Sequence, residues 1–321
     1  MVGMDSVVGA LAIHAAAASP GAAASFTTPS FLASLPCAGT EGAYSEIYGV
    51  RSDGGSGVFV VDYWDSRIYK FDNAGHEITH WSVPDGAHGI ALSPTGELFI
   101  ANGFDPGLID VYTTSGIFLR QIGESMGALG QMRNPIYPCV TPEGTLLVSD
   151  AQNQRVIEFE PDGTPIRSWG GPGTAPGQFG GPRGIAMDGA GDILVVDEGN
   201  KRVQVFSRTG AYLRQWAIQA AWYEGHEPFP RGIAVDNLGR IYVTDRSNAV
   251  VRVYQSDGTE IGTWGGFGTD PGHFYGPNAV DVDPLGRIYV GESYCHVQVF
   301  GRDGATALPR VTWGRLKARY R

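Results

Sequence analysis

The chain is 321 residues long and 42% apolar, with 33 acidic and 23 basic side chains giving a formal net charge of −10. That length allows a large buried core, and the acidic balance argues against electrostatic capture of a nucleic-acid backbone. Beyond the N-terminus no apolar run is long enough to span a bilayer. Cys37, Cys139 and Cys295 lack the spacing of a disulfide framework or a structural zinc site.

Residues 1–42 form an N-terminal arm with a weakly signal-like pattern. Val7 to Ala18 is short and apolar, and Ala22-Ala23-Ala24 offers small residues where a leader is cut. Yet no Lys or Arg precedes Arg51, and Asp5 sits where a signal needs positive charge. This favours a cytoplasmic chain over a secreted one and otherwise leaves the compartment open.

From residue 43 to 316 one pattern recurs six times. A short apolar run leads to a Gly turn and then to an alternating strand that ends in an acid or amide. Those ends are Asp62, Asn102, Asp150, Asp197, Asp245 and Glu292, spaced 40, 48, 47, 48 and 47 residues apart. A third strand follows, as in Ile68 to Phe71, Val156 to Phe159, Val203 to Phe206, Val251 to Tyr254 and Val297 to Phe300. Its period of two predicts β-structure with the apolar face inward. Ten residues beyond the closing aromatic stands a fourth-strand anchor: Phe71/Trp81, Tyr112/Ile122, Phe159/Trp169, Phe206/Trp216 and Tyr254/Trp264. The last repeat stretches this pair to Phe300/Trp313.

One such unit cannot bury both of its faces, whereas radial packing gives every sheet two neighbours. The predicted fold class is therefore all-β, a six-bladed β-propeller of four-stranded blades. Two segments compete to close the ring: Val311-Thr312-Trp313 and Ser25 to Leu35. Residues 317–321 are a basic tail.

The string Gly-Gln-Phe-Gly-Gly-Pro-Arg-Gly-Ile-Ala at 177–186 resembles the opening of an NHL repeat, and Val196 to Phe206 resembles its middle. The resemblance covers residues 43–316 and implies the NHL-repeat six-bladed propeller; it says less about activity, because one fold hosts many functions. A more distant resemblance points to peptidyl-hydroxyglycine alpha-amidating lyase, which draws three zinc histidines from the starts of inner strands in separate blades. Of the matching positions here only His88 is a histidine. Arg183, Arg231 and Asn278 fill others, and guanidinium groups do not bind zinc. Tyr294, in Val290 to Cys295, is similar to that lyase's Tyr-Cys turn but lies in a different blade relative to His88. No cofactor is predicted, and a metal ion on the channel axis is left open.

Features that repeat mark scaffolding, and features that break the repeat mark chemistry. Asp62/Arg67, Asp150/Arg155 and Asp197/Arg202 recur five apart and are expected to brace their own turns. His226 and His273 align with Gln178 and are read as loop-packing groups; His14, His76 and His80 lack ligand spacing, and His296 is local to its turn. The inner-strand starts, by contrast, differ in every blade: Tyr48, His88, Ile136, Arg183, Arg231 and Asn278. Arg183, Arg231 and Asn278 are expected to bind substrate, the guanidiniums gripping a carboxylate or phosphate. Trp222 and Tyr223, in an irregular rim loop, join them as a lid or ridge. Tyr48 and His88 are the expected proton donor and acceptor. Glu292 and Tyr294, which break the pattern of the closing blade, complete the catalytic set.

These residues point to a metal-independent lyase, isomerase or hydrolase acting on a small anionic molecule at the channel mouth. The alternative is a protein- or peptide-binding ring without catalysis. The enzyme is favoured because nearly all of the chain is propeller, although no nucleophile elbow, P-loop or dinucleotide fingerprint is present. The expected partner is a small anionic molecule or a peptide, with no nucleic acid and no membrane; the only basic cluster is Arg315, Lys317, Arg319 and Arg321. The oligomeric state is left open.

Overall fold

The computed structural model describes residues 26–36, 45–104, 106–123, 127–220, 226–294 and 296–301. Trp222, Tyr223, Cys37, Cys295, Val311 to Trp313 and the basic tail lie outside them. Six four-stranded antiparallel sheets account for almost the whole described chain. Blade 1 is β2 (Ile47–Ser52), β3 (Gly57–Asp62), β4 (Arg67–Asp72) and β5 (Glu77–Ser82). Blade 2 is β6 (Ala87–Leu92), β7 (Glu97–Asn102), β8 (Leu108–Thr113) and β9 (Phe118–Ile122), followed by a single turn of helix, α1 (Gly127–Gly130). Blade 3 is β10 (Pro135–Val140), β11 (Leu146–Asp150), β12 (Arg155–Phe159) and β13 (Pro165–Gly170). Blade 4 is β14 (Pro182–Met187), β15 (Ile193–Asp197), β16 (Arg202–Phe206) and β17 (Tyr212–Ala217). Blade 5 is β18 (Pro230–Val235), β19 (Ile241–Asp245), β20 (Val250–Tyr254) and β21 (Glu260–Gly265). Blade 6 is β22 (Pro277–Val282), β23 (Arg287–Glu292) and β24 (His296–Gly301), with β1 (Ser30–Pro36) as its outer strand.

The ring is thus closed from the N-terminal side. β1 runs antiparallel to β24, and Leu35 faces Val297. That register place belongs to Trp81, Ile122, Trp169, Trp216 and Trp264 in the other blades. The propeller therefore starts at Ser30 rather than at residue 43, and Leu35 fills the anchor position expected of Trp313. The reason is steric. Where the next blade's outer turn is described, its glycine lies under the anchor: Gly116 under Trp81, Gly163 under Ile122, Gly210 under Trp169, Gly258 under Trp216, and Gly75 under Leu35. An apolar side chain of sufficient reach satisfies that contact, so a leucine serves as well as an indole.

Six apolar clusters form the core, one at each blade interface. Leu98 and Ile100 of β7 pack with Phe59 and Val61 of blade 1, while Phe99 and Ala101 turn to Leu146 and Val148 of blade 3. The period of two therefore sends alternate residues to two different neighbours instead of presenting one inward face. This is why the middle strands are buried along their length.

The inner strands β2, β6, β10, β14, β18 and β22 neighbour one another in a closed circle. Their approach is close enough to dictate residue type. A Cβ on Gly184 would sit 2.6 Å from the Arg231 carbonyl, and one on Gly232 would sit 2.8 Å from that of Asn278. Blade 3 carries Tyr137 at this depth instead, and its phenol crosses the channel to donate to the Asn278 carbonyl of the opposite blade at 2.9 Å. Beyond it lies a chamber of about 650 Å³, lined by the later halves of all six inner strands and including Cys139. Burial pushes the Cys139 thiol up to about 11. No helix among the described residues is long and apolar enough to cross a membrane.

Candidate functional site

The rim at the inner-strand starts is held by the acids that end each second strand. Asp150, Asp197 and Asp245 are fully buried. They accept the backbone N–H groups of Arg133 (2.7 Å), Gly180 (2.7 Å) and Phe229 (3.1 Å), which lie in the approach to the neighbouring inner strand of the same blade. Arg155 and Arg202 pair with Asp150 and Asp197 at 2.8 Å each, as their spacing predicted. Blade 1 departs from the pattern: Arg67 pairs with Asp65 at 3.0 Å, and Asp62 accepts the Ser45 hydroxyl.

Glu292 fills the same bracing position in blade 6. Its oxygens accept the Tyr275 N–H at 2.6 Å and the Gln298 amide at 2.9 Å. Burial, only partly offset by those bonds, pushes its carboxyl up to about 7. Both oxygens are therefore engaged, one by the approach to β22 and one by β24.

With the turns fixed, two rings of side chains stand at the mouth. The first is the inner-strand start itself. The second is the residue after each strand-end group: Tyr63, Gly103, Ala151, Glu198, Arg246 and Ser293. Each donates its N–H to a carbonyl just before the inner strand of its own blade. The two rings together are strongly asymmetric, charged on blades 4 and 5, polar on blade 6, aromatic on blades 1 and 2, and apolar on blade 3.

On the aromatic side, the rings of Tyr48, Tyr63 and His88 lie 4.9–5.1 Å apart. His88 Nδ1 is 2.7 Å from the Gly86 carbonyl, which can only accept, so Nδ1 carries the proton and Nε2 is left as the basic lone pair. Burial, helped by the charges of Arg183 and Arg231, pulls His88 down to about 4 against the Gly86 bond, so the imidazole is neutral. Burial and the nearby Glu46 carboxylate raise Tyr48 despite Arg231 and Arg246, and its phenol stays protonated.

On the charged side, Arg183 donates to Glu198 through Nε at 2.9 Å and Nη2 at 3.4 Å. Arg231 approaches the same carboxylate, with Nε 3.3 Å from Oε2. That N–H is buried and lacks an in-line hydrogen-bond acceptor. The Arg231 guanidinium lies 5.8 Å over the Tyr48 ring and 4.6 Å over Phe229. Burial and the Arg183 charge lower its pKa, with Glu198 opposing them only in part. Next to it, Arg246 reaches Glu46 at 2.5 Å and the Asn278 Oδ1 at 2.8 Å, and Ser293 donates to Glu46 at 3.0 Å. Burial alone would raise Glu46, but Arg246 and Ser293 outweigh it and hold the carboxyl low. Asn278 is fully buried, and its Nδ2 has no hydrogen-bond partner.

Of the residues singled out in the sequence, Tyr48, His88, Arg183, Arg231 and Asn278 meet at this mouth. Tyr294 stands further out on the rim, in contact with Tyr275. Trp222 and Tyr223 are outside the described residues. Glu46, Tyr63, Glu198, Arg246 and Ser293 were not anticipated. Four of them occupy the second ring, one position beyond the acids used to align the repeats, so the same alignment read one residue further would have displayed them. Among the described residues, no group of three or more His, Cys, Asp or Glu side chains is placed to hold a metal ion.

The NHL-repeat family model matches residues 179–206 and 228–254, within blades 4 and 5. The chain is a six-bladed β-propeller that carries NHL repeats. No curated protein matches it. Among solved structures it is similar to a streptogramin B lyase, with a TM-score of 0.62 at 14% identity over 84% of this chain and 97% of that one. It is also similar to a provisionally named gluconolactonase (TM-score 0.62, 20% identity, 83% and 93% covered). A third likeness is to the WD40 propeller domain of Doa1 (TM-score 0.57, 14% identity, 86% and 98% covered). At these identities the likeness is one of fold alone.

Proposed function

We propose that the chain is an enzyme of the lyase, isomerase or hydrolase type whose mouth takes a small anionic molecule. The observation that carries this reading is the sharing of one carboxylate, Glu198, by two guanidiniums, with the buried Arg231 Nε–H lacking an in-line acceptor. A bound carboxylate or phosphate would supply that acceptor and the missing negative charge. It would also relieve the Arg183–Arg231 repulsion, so its binding is favoured over that of a neutral analogue.

The anchored molecule lies beside a neutral imidazole with an available Nε2 and a protonated phenol. His88 takes a proton from the substrate carbon or from an attacking water, and Tyr48 gives one to the oxygen that gains charge. The Asn278 amide, buried without an acceptor for its N–H groups, offers a further donor to that oxygen. Burial and the two arginines disfavour the imidazolium, so the proton is passed on readily. The anion offsets part of this effect, and the His88 pKa should rise when it binds.

NMR titration of the His88 ring with and without lactate or phosphate tests the binding half. A value near 4 in the free protein should move upward with the anion, and Arg231→Ala should abolish the movement. For catalysis, a panel of small hydroxy acids and lactones incubated in D₂O is followed by NMR for exchange or turnover. His88→Gln should reduce any activity by about 100-fold or more. Undiminished turnover in that variant, or anion binding that survives loss of both Arg183 and Arg231, would overturn the proposal.

A further inference from the structure

Beside the mouth, toward blades 5, 6 and 1, lies a trough of about 620 Å³. Its walls are Trp64, Phe229, Phe267, Tyr275 and Tyr294, and Glu46 and Arg246 also line it. A concavity of this size suits a small ligand, yet its lining is unusually aromatic and wet: Phe267 is 65% and Trp64 61% exposed. Isolated apolar side chains on a surface need no explanation, but several gathered in one hollow mark a recognition site.

The rings are held in place. Phe267 meets Tyr275 edge to face at 5.0 Å, and Tyr275 meets Tyr294 likewise at 4.6 Å. Tyr294 has a left-handed backbone, φ 66°, which bulky residues avoid. Its N–H donates to the Ser45 carbonyl at 2.7 Å, which pins the strained turn and keeps the ring on the rim. Phe267 sits between Gly266 and Gly268, both at positive φ, with a backbone bridge to Phe274.

The trough and the mouth share side chains. Phe229 lines the trough and is the ring over which the Arg231 guanidinium lies at 4.6 Å. Arg246 lines the trough and also bonds Asn278 at the mouth. A molecule anchored at Arg231 therefore has its far end directed over Phe229 into a set of ring faces and edges. Such a set pairs best with another ring, through offset and edge-to-face contacts. We infer that the trough selects, for the site proposed above, a small carboxylate that carries an aromatic ring.

This inference rests on the anion-binding reading, and one experiment separates the two. Lactate, hexanoate and phenyllactate are titrated into the full chain by calorimetry. Phenyllactate should bind at least tenfold tighter than lactate and clearly tighter than hexanoate. In Phe267→Ala/Tyr275→Ala the phenyllactate-to-lactate ratio should fall to within about threefold. Equal affinities in the unaltered protein, hexanoate binding as tightly as phenyllactate, or a preference that survives the double substitution would each overturn the aromatic assignment. In those cases lactate binding that depends on Arg231 would leave the mouth reading standing. Failure of all three carboxylates to bind would overturn the aromatic assignment, and failure of phosphate as well would overturn both.

Discussion

His88 and Glu292 titrate in opposite senses, so pH should separate their contributions to stability. Between pH 6.5 and about 4 the unfolded chain protonates a histidine that the fold keeps neutral, and stability falls as pH drops. Glu292 behaves in reverse. Between pH 4.5 and about 7 the fold retains a proton that the unfolded chain releases, and stability falls as pH rises. At 1.36 kcal/mol per unit each group is worth about 3 kcal/mol, and in the unaltered protein the two slopes largely cancel. Urea unfolding of Glu292→Gln should therefore gain stability from pH 4.5 to 6.5, and that of His88→Gln should lose it over the same range. Parallel curves for the two variants would contradict this account. At this scale the sequence singles out Tyr48, His88, Arg183, Arg231 and Asn278 because they break a repeat at one aligned position, and the fold brings them to one rim. It did not disclose Glu198 as the carboxylate shared by two arginines, because that depends on how side chains from adjacent blades converge. Glu292 drew notice as an exception to an aspartate pattern, yet a longer side chain at the same position still braces the turn.

Among the elements, β1 carries the clearest energetic role. Leu35 is 2% exposed and joins the apolar cluster between blades 6 and 1. Leu35→Ala should cost about 3 kcal/mol by loss of burial and an unfilled cavity, read as a lower midpoint in urea. Unchanged stability would mean that the outer strand of blade 6 does not hold the ring. The other strands were legible because their aromatics, glycines and acids recur at fixed intervals. For β1 the sequence offers two options, because its partner is remote and its anchor is a leucine rather than a tryptophan. No local pattern ranks two segments that compete for the same distant edge. The inward-face expectation failed for a related reason, since alternation reports that a strand has two faces but not that both are covered.

For the whole molecule, Tyr137 ties opposite blades together across the channel. The chamber around Cys139 lies on the far side of this phenol from the arginine-bearing mouth. Tyr137→Phe, which removes only the bond to the Asn278 carbonyl, should lower stability by about 1 kcal/mol. The check is a urea comparison with Tyr212→Phe on an outer strand, and equal midpoints would show that the crossing bond contributes nothing. The union of β1 with β24 has a different consequence, which belongs to biosynthesis. Pro36 and His296 are partners across 260 residues. At about 5–20 residues per second, a nascent chain holds β1 unmatched for tens of seconds before β24 emerges. During that wait the clasp hangs open, and a β24 supplied by a neighbouring copy fits it as well as the chain's own. Crowded polysomes thus offer this protein a route to exchanged dimers that a dilute refolding reaction would seldom visit.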